Sequence, residues 1–156
     1  MTMTQRLLLV MGIPGTGKTS IGEYLEAVYG FLHVNREVHQ PREFSDDPAG
    51  FLANSKKDIV ATWGFRPKEQ EDIQGVQQLL TLGFRGVWLD GYRPWALKYF
   101  LQAKPEREWE FYLQMFNVET SGIIARLSVP KLNPFTPDGG FRSKQEIAVE
   151  LLSLFS

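Results

Sequence analysis

Residues 12 to 19 read Gly-Ile-Pro-Gly-Thr-Gly-Lys-Thr, an uninterrupted G-x-x-x-x-G-K-[ST] string, and no other feature constrains the fold of this chain as strongly. The run before it, Arg6-Leu7-Leu8-Leu9-Val10-Met11, is short, apolar and bounded by Gly12, which predicts a buried strand. After it, Ser20 to Tyr29 places Ile21, Leu25 and Val28 on one helical face, and Gly30 predicts the stop. A loop between strand and helix aims successive backbone N–H groups and the positive end of a helix dipole at one point. That point is an anion site, and Lys18 adds a full charge to it.

Composition narrows the classes open to such a chain. At 156 residues, with 43% hydrophobic and 22% charged side chains, it is expected to form one globular domain over 1–156 with a substantial core. Seventeen basic residues against eighteen acidic ones leave a net charge of −1, without the basic excess that marks a nucleic-acid partner. Cysteine is absent, which removes disulfides, cysteine-held zinc and thiol chemistry together. The amino-terminal apolar run is too short for a secretion signal and no stretch is long enough to span a bilayer, so the expected location is cytoplasmic with no membrane partner. Nothing in the sequence speaks to oligomeric state.

Further along, Phe31 to Asn35 predicts a second strand, and 36–57 is polar and turn-rich, with room for a short helix or a flap. Asp58 to Trp63 predicts a third strand. Lys68 to Leu82 predicts a helix with Ile73, Val76, Leu79 and Leu80 on one face and Gly83 as cap. Gly86 to Asp90 predicts a fourth strand, and Pro94 opens a helix over Trp95 to Gln102. Residues 105–127 look helical and rich in aromatics, and the helix from Trp109 to Phe116 is expected to pack on the sheet. Leu127 to Leu132 holds a fifth strand that Pro130 confines to an edge or a strand end. Ser143 and Glu146 stand at capping-box spacing before a last helix. Alternating strands and helices predict a parallel sheet covered on both faces, a three-layer α/β phosphate-binding-loop fold. The working surface then lies at the carboxyl ends of the strands, around 12–19, Asn35, 63–66 and 90–93.

The motif at Gly12 to Thr19, the early strand Gly30-Phe31-Leu32-His33-Val34 and the stretch from Val87 to Glu119 resemble the small P-loop kinases: adenylate, shikimate and gluconate kinases. The resemblance covers most of the chain in layout, and the loop is its specific motif. It implies a five-stranded sheet in the order 2-3-1-4-5, ATP and Mg²⁺ as cofactors, and a small-molecule acceptor of phosphate. It also implies nucleotide-binding roles for Gly12, Pro14, Gly15, Thr16, Gly17, Lys18, Thr19 and Ser20. In that likeness Gly15 to Thr19 cradle the β-phosphate, Lys18 is the catalytic cation bridging β- and γ-phosphates, and Thr19 ligates the metal. Residues 36–57 become an acceptor-binding segment and 103–126 a lid-like one. The loop 133–142 resembles one that touches adenine in that family, and turn formation explains it equally.

The chain also departs from the family. Where shikimate and gluconate kinases carry an Asp that engages the acceptor hydroxyl, the matching residue is Asn35, and an amide cannot take up a proton. Either Glu37 substitutes, or the acceptor is a phosphate that needs no base. The paired lid arginines have only Arg107 and Arg126 as counterparts, at unfamiliar spacing. Val87-Trp88-Leu89-Asp90 has the shape of a metal-holding strand end, but a third strand at 58–63 would set Asp90 farther from the nucleotide, and Asp-Gly is also ordinary turn chemistry. Arg66 and Arg36 are candidate clamps for a carboxylate or phosphate of the acceptor, or simply solvated charges. His33 alternates away from Leu32 and Val34 and reads as a satisfied structural histidine; His39 has no second ligand at metal spacing.

Three functions follow. The first is an ATP- and Mg²⁺-dependent phosphotransferase acting on a nucleotide, nucleoside or sugar-acid-like acceptor. The second is a nucleotide-hydrolysing switch, disfavoured because Asn54-Ser55-Lys56-Lys57-Asp58 has the wrong spacing for guanine selection and precedes a strand. The third is a regulatory nucleotide-binding protein or slow NTPase without an acceptor, which Asn35 and the sparse lid favour.

Overall fold

The computed structural model describes residues 5–36, 41–64 and 69–155, with the backbone alone for 69–72. β1 (Leu7–Gly12) occupies the middle of a five-stranded sheet. β3 (Ile59–Thr62) lies on one side of it with β2 (Leu32–Asn35) beyond. β4 (Arg85–Leu89) lies on the other side with β5 (Lys131–Leu132) beyond, which gives the order 2-3-1-4-5. Every pairing is parallel, with Val10 opposite Thr62 on one flank and Gly12 opposite Leu89 on the other.

The apolar runs of the strands explain this arrangement. β1 is buried along its whole length, and its side chains alternate between two cores. Leu7, Leu9 and Met11 join Val76 and Leu79 of α4 (Glu69–Thr81), Phe100 of α5 (Arg93–Ala103) and Phe111 and Met115 of α6 (Glu108–Ser121). Leu8 and Val10 join Ile21 and Leu25 of α1 (Lys18–Tyr29) and Ile147 and Leu151 of α8 (Lys144–Leu152) on the opposite face. Burying each such side chain contributes about 1.5–3 kcal/mol, so a one-residue slip of β1 would exchange the two sets and cost many times that. This is a three-layer α/β fold. Among the described residues no helix is long and apolar enough to cross a membrane.

Several elements differ from their sequence reading in instructive ways. Ile21 and Leu25 are buried on α1 as expected, but Val28 is exposed, and Tyr24 and Tyr29 pack on the core instead. The stretch 105–127, helical as read, holds two helices, α6 and α7 (Ile123–Leu127), divided where the backbone turns left-handed at Gly122 (φ 65°). The turn-rich stretch before β3 holds two short helices, α2 (Arg42–Asp46) and α3 (Pro48–Asn54), the second capped by the Asp47 carboxylate accepting from the Gly50 amide at 3.1 Å. Ser143 caps α8 by accepting from the Glu146 amide at 3.1 Å. The reciprocal half of the box is diverted, since the Glu146 carboxylate pairs with Arg142 at 2.9 Å. β5 is an edge strand as Pro130 requires, and the Pro130 carbonyl accepts from the Trp88 amide at 2.9 Å.

α1 lies close to the sheet because Gly22 has no side chain. A Cβ there would stand 2.5 Å from His33 Nε2 and 2.8 Å from Thr62 Cγ2. Overpacking of this kind costs about 1–3 kcal/mol. Ala recovers only about 1 kcal/mol over Gly in a helix interior. Gly22→Ala is therefore expected to lower the urea midpoint despite its better helix propensity, and a raised midpoint would show that α1 can lift off the sheet without loss.

Candidate functional site

The turn after β1 is built by close backbone approach. A Cβ on Gly12 would overlap the Leu89 carbonyl, which accepts from the Ile13 amide at 3.2 Å. A Cβ on Gly15 would overlap the Ala96 carbonyl of α5, and Gly15 and Gly17 both hold left-handed backbone (φ 81° and 80°) that other residues adopt only with strain. Gly17 is also the N-cap of α1, so the loop delivers the start of that helix to its own concave side. Thr16 Oγ1 donates to the Ile13 carbonyl at 2.8 Å and pins the turn internally.

Lys18 folds back over this turn. Its Nζ donates to the Ile13 carbonyl at 2.8 Å and to the Gly12 carbonyl at 3.2 Å, and the residue is only 6% exposed. Two carbonyl dipoles thus hold the ammonium over the cradle. Thr19 is half-buried and Ser20 exposed on the first turn of α1.

A cavity of about 480 Å³ opens on the loop. The loop and the first turn of α1 line it through Pro14, Gly15 and residues 17–20, the end of α5 through Tyr99, Phe100 and residues 102–104, and Gln114 and Phe141 complete the lining. Lys18 and Lys104 line it, and no carboxylate does among the described residues. A smaller, mostly apolar cavity of about 140 Å³ also borders Gly17, and Ile21, Leu89 and Ile147 line it together with Arg142 and Lys144. Phe141 borders both cavities, its ring 3.5 Å from where a Gly17 Cβ would be.

The remaining candidates are dispersed. Asn35 ends β2 opposite Thr62. The Arg36 guanidinium lies over the Trp63 ring, 4.4 Å from its centroid, and its amide donates to the Thr62 carbonyl at 3.0 Å. Glu37, His39 and Arg66 lie outside the described residues. Asp90 follows the strand next to β1, not one set farther away as its place in the sequence suggested; sheet order reverses the inference from chain order. Its Oδ2 accepts from Trp88 Nε1 at 3.2 Å and its Oδ1 from the Gly91 amide at 2.9 Å, and it lines neither cavity.

Arg107 is the N-cap of α6 and donates to Glu110 Oε2 at 3.3 Å, while Arg126 sits in the last turn of α7; neither lines the cavity. The segment around them is tied into the core through Phe111, Met115 and Val118. Trp109, Tyr112 and Phe116 on the same helix face solvent. The sequence reading missed Lys104, Gln114 and Tyr99 on the cavity wall. A search for paired arginines passes over a lysine, although Lys104 before Pro105 marks where the helix must end and turn.

No family model matches the chain, and no curated protein matches it in sequence. Solved structures do match it along nearly its whole length. A gluconokinase from Sinorhizobium meliloti 1021 aligns over 95% of this chain and 90% of its own, at 18% identity and a TM-score of 0.58. Shikimate kinase from Acinetobacter baumannii, solved in complex with shikimate, aligns over 97% and 93%, at 14% identity and a TM-score of 0.61. A sugar kinase from Janibacter sp. HTCC2649 aligns over 97% and 95%, at 14% identity and a TM-score of 0.56. The fold is that of the small P-loop kinases. The likeness is one of fold, and function has to be argued from the site.

Against Gly22 of α1, His33 Nε2 and Thr62 Oγ1 lie 2.8 Å apart, and the His33 amide donates to Glu26 at 2.8 Å, a satisfied histidine as its strand position predicts. Burial lowers its pKa below 6.5, opposed first by Glu26 and then by Glu23. The unfolded chain therefore takes up this proton first as pH falls. The stability that the neutral ring contributes is complete above 6.5, declines as pH drops from there through the lower folded-state pKa, and then levels off. Wild type should lose more stability than His33→Gln between pH 7.5 and 5.5 in urea titrations, and parallel losses would remove His33 from the account.

Proposed function

We propose that this protein transfers a phosphoryl group from ATP, with Mg²⁺, to a small-molecule acceptor. The observation that carries the reading is the cavity on the loop: its lining charges are Lys18 and Lys104, it holds no carboxylate among the described residues, and one wall is a backbone cradle at a helix N-terminus. Such a surface suits a polyphosphate and repels few other things as little. The smaller, mostly apolar cavity of about 140 Å³, which Gly17 and Phe141 also border, offers apolar surface to a base ring. The matching gluconokinase, shikimate kinase and sugar kinase folds support a kinase over other uses of the same loop.

In this reading the amides of Gly15 to Thr19 bind the β-phosphate. Lys18 exchanges the carbonyls of Gly12 and Ile13 for phosphate oxygens, a trade favoured because charged acceptors form the stronger bond. Its charge then meets the negative charge that spreads onto the transferred group. The Thr19 hydroxyl, on the cavity wall, suits a hard cation that takes oxygen ligands, and we assign it the metal. Magnesium, when bound, supplies charge neutralisation across the phosphates. Asp90 is assigned the holding of Trp88 and Gly91 in place of a metal role, since its oxygens accept bonds there and it lines neither cavity. The acceptor is assigned to the strand ends at Asn35 and Arg36, and from the sequence alone the segment 36–57, Glu37 and Arg66 are kept as its further candidates. Arg107 and Arg126 are assigned no phosphate contact.

Asn35 favours a second reading, a regulatory nucleotide-binding protein or slow NTPase, because an amide cannot deprotonate an acceptor hydroxyl. One experiment separates the two: ADP release from ATP and Mg²⁺ across nucleoside monophosphates, nucleosides and sugar acids. Acceptor-stimulated ADP is expected, with Lys18→Ala lowering it about 100-fold or more. ATP binding without stimulation by any acceptor would favour the regulatory reading. Thr19→Ala is expected to weaken ATP binding in the presence of Mg²⁺ more than in EDTA; equal losses in both would take the metal away from Thr19.

A further inference from the structure

α6 is apolar on two faces, and the fold covers one of them. Phe111, Met115 and Val118 are buried in the core. Trp109, Tyr112 and Phe116 form a second stripe at spacings of three and four residues, and they are 61%, 55% and 62% exposed. Apolar surface on both sides of a helix is the pattern of one covered on both. A single exposed aromatic needs no account, but three in one row form a patch. Each ring leaves on the order of 100–150 Å² open, about 400 Å² in all. The two ends of the stripe carry different charges. At the amino-terminal end Glu108 stands one turn before Tyr112, exposed and without an ion pair among the described residues, since the pairs of α6 are made by Glu110 and Glu119. At the other end Glu119 stands one turn after Phe116, and Arg93 from the start of α5 pairs with it, both about half in water.

We propose that this stripe is the interface of a two-fold dimer, in which α6 packs antiparallel on α6 of a second copy of this chain. The stripe is self-complementary about its middle, between Tyr112 and Leu113. Antiparallel pairing there sets Trp109 of each copy against Phe116 of the other, with the two tyrosines side by side. The same rotation brings Glu108 of each copy to the Arg93–Glu119 pair of the other, where a guanidinium with five donors can serve a second carboxylate. This contact forms twice, whereas parallel pairing would set Glu108 on Glu108 and repel. The rings of two copies remove about 800 Å², and the flanking Glu108, Leu113 and Arg93 bring the total toward about 1,200 Å², where small specific interfaces begin. The carboxylates at both ends of the stripe disfavour an anionic membrane or nucleic acid as its occupant. Gln114, which lines the phosphate cavity, lies on the far side of α6 from Tyr112, so the dimer leaves that cavity open.

The test is sedimentation equilibrium of the full chain from about 1 to 300 µM, the range that brackets the dissociation constant expected of so small an interface. A monomer–dimer equilibrium is expected. Trp109→Ser and Phe116→Ser should each weaken it about tenfold or more, since aromatic anchors carry most of the affinity of an interface. Val149→Ser, an equally exposed apolar site on α8, is the control and should leave it unchanged. Charge exchange tests the antiparallel register. Glu108→Arg and Arg93→Glu should each weaken association about threefold or more, and the double variant should recover it, because the reversed pair meets again across the two-fold axis. Urea midpoints near wild type show that each variant is folded, as expected for exposed positions. The proposal is overturned by a chain that stays monomeric throughout, by a dimer indifferent to Trp109→Ser and Phe116→Ser, or by a double charge variant no better than its weaker single. A monomer that co-sediments with phosphatidylcholine vesicles, and loses this with Trp109→Ser, gives the stripe to a lipid surface and overturns it equally. No outcome depends on the phosphotransferase reading, since no nucleotide enters the experiment.

Discussion

The site depends on two places where backbone meets backbone with no side chain between. Gly12 lies against the Leu89 carbonyl and Gly15 against the Ala96 carbonyl. The first contact joins the end of β1 to the end of β4. The second joins the apex of the loop to α5, the helix that follows β4. Together they make loop, strand and helix one rigid assembly, since close-packed backbone has no rotamer through which to yield. The consequence reaches the far end of α5. With Ala96 seated on Gly15, the helix carries Tyr99, Phe100 and Lys104 along the open side of the loop, and the cavity is the space left between them.

How much of this could be read from the sequence follows from the range of the physics involved. Local signals were reliable: the apolar run before Gly12, the Gly83 cap, Pro94 at a helix start and Ser143 at another each produced the element they announced. The loop itself was legible because its motif specifies backbone conformation and charge together. Signals that depend on tertiary packing were misread. Val28 has the right phase for the core of α1, but two tyrosines cover that face. Residues 105–127 have helical composition throughout, and only the left-handed turn at Gly122 divides them. Asp90 looked remote because strands were counted along the chain, whereas β4 lies next to β1 in the sheet. Lys104 carried no motif at all, and its place on the cavity wall exists only once α5 has docked on Gly15.

The two lysines of the cavity differ in solvation, and that difference divides their tasks. Lys18 is almost fully buried and already held by two carbonyl dipoles, so its desolvation was met on folding. An anion arriving there replaces neutral acceptors with charged ones in a region where water screens little, and the gain is large. Lys104 is half in water and its partner Glu110 is retained by Arg107, so its exchange costs little and yields little. Affinity for a polyphosphate should therefore reside in the loop more than in the outer lysine. Because the outer cation is screened by salt far more than the inner one, rising ionic strength should weaken any anion contact at Lys104 before it weakens binding at the loop. That ordering follows from burial alone, and it would hold whichever acceptor stands at the strand ends.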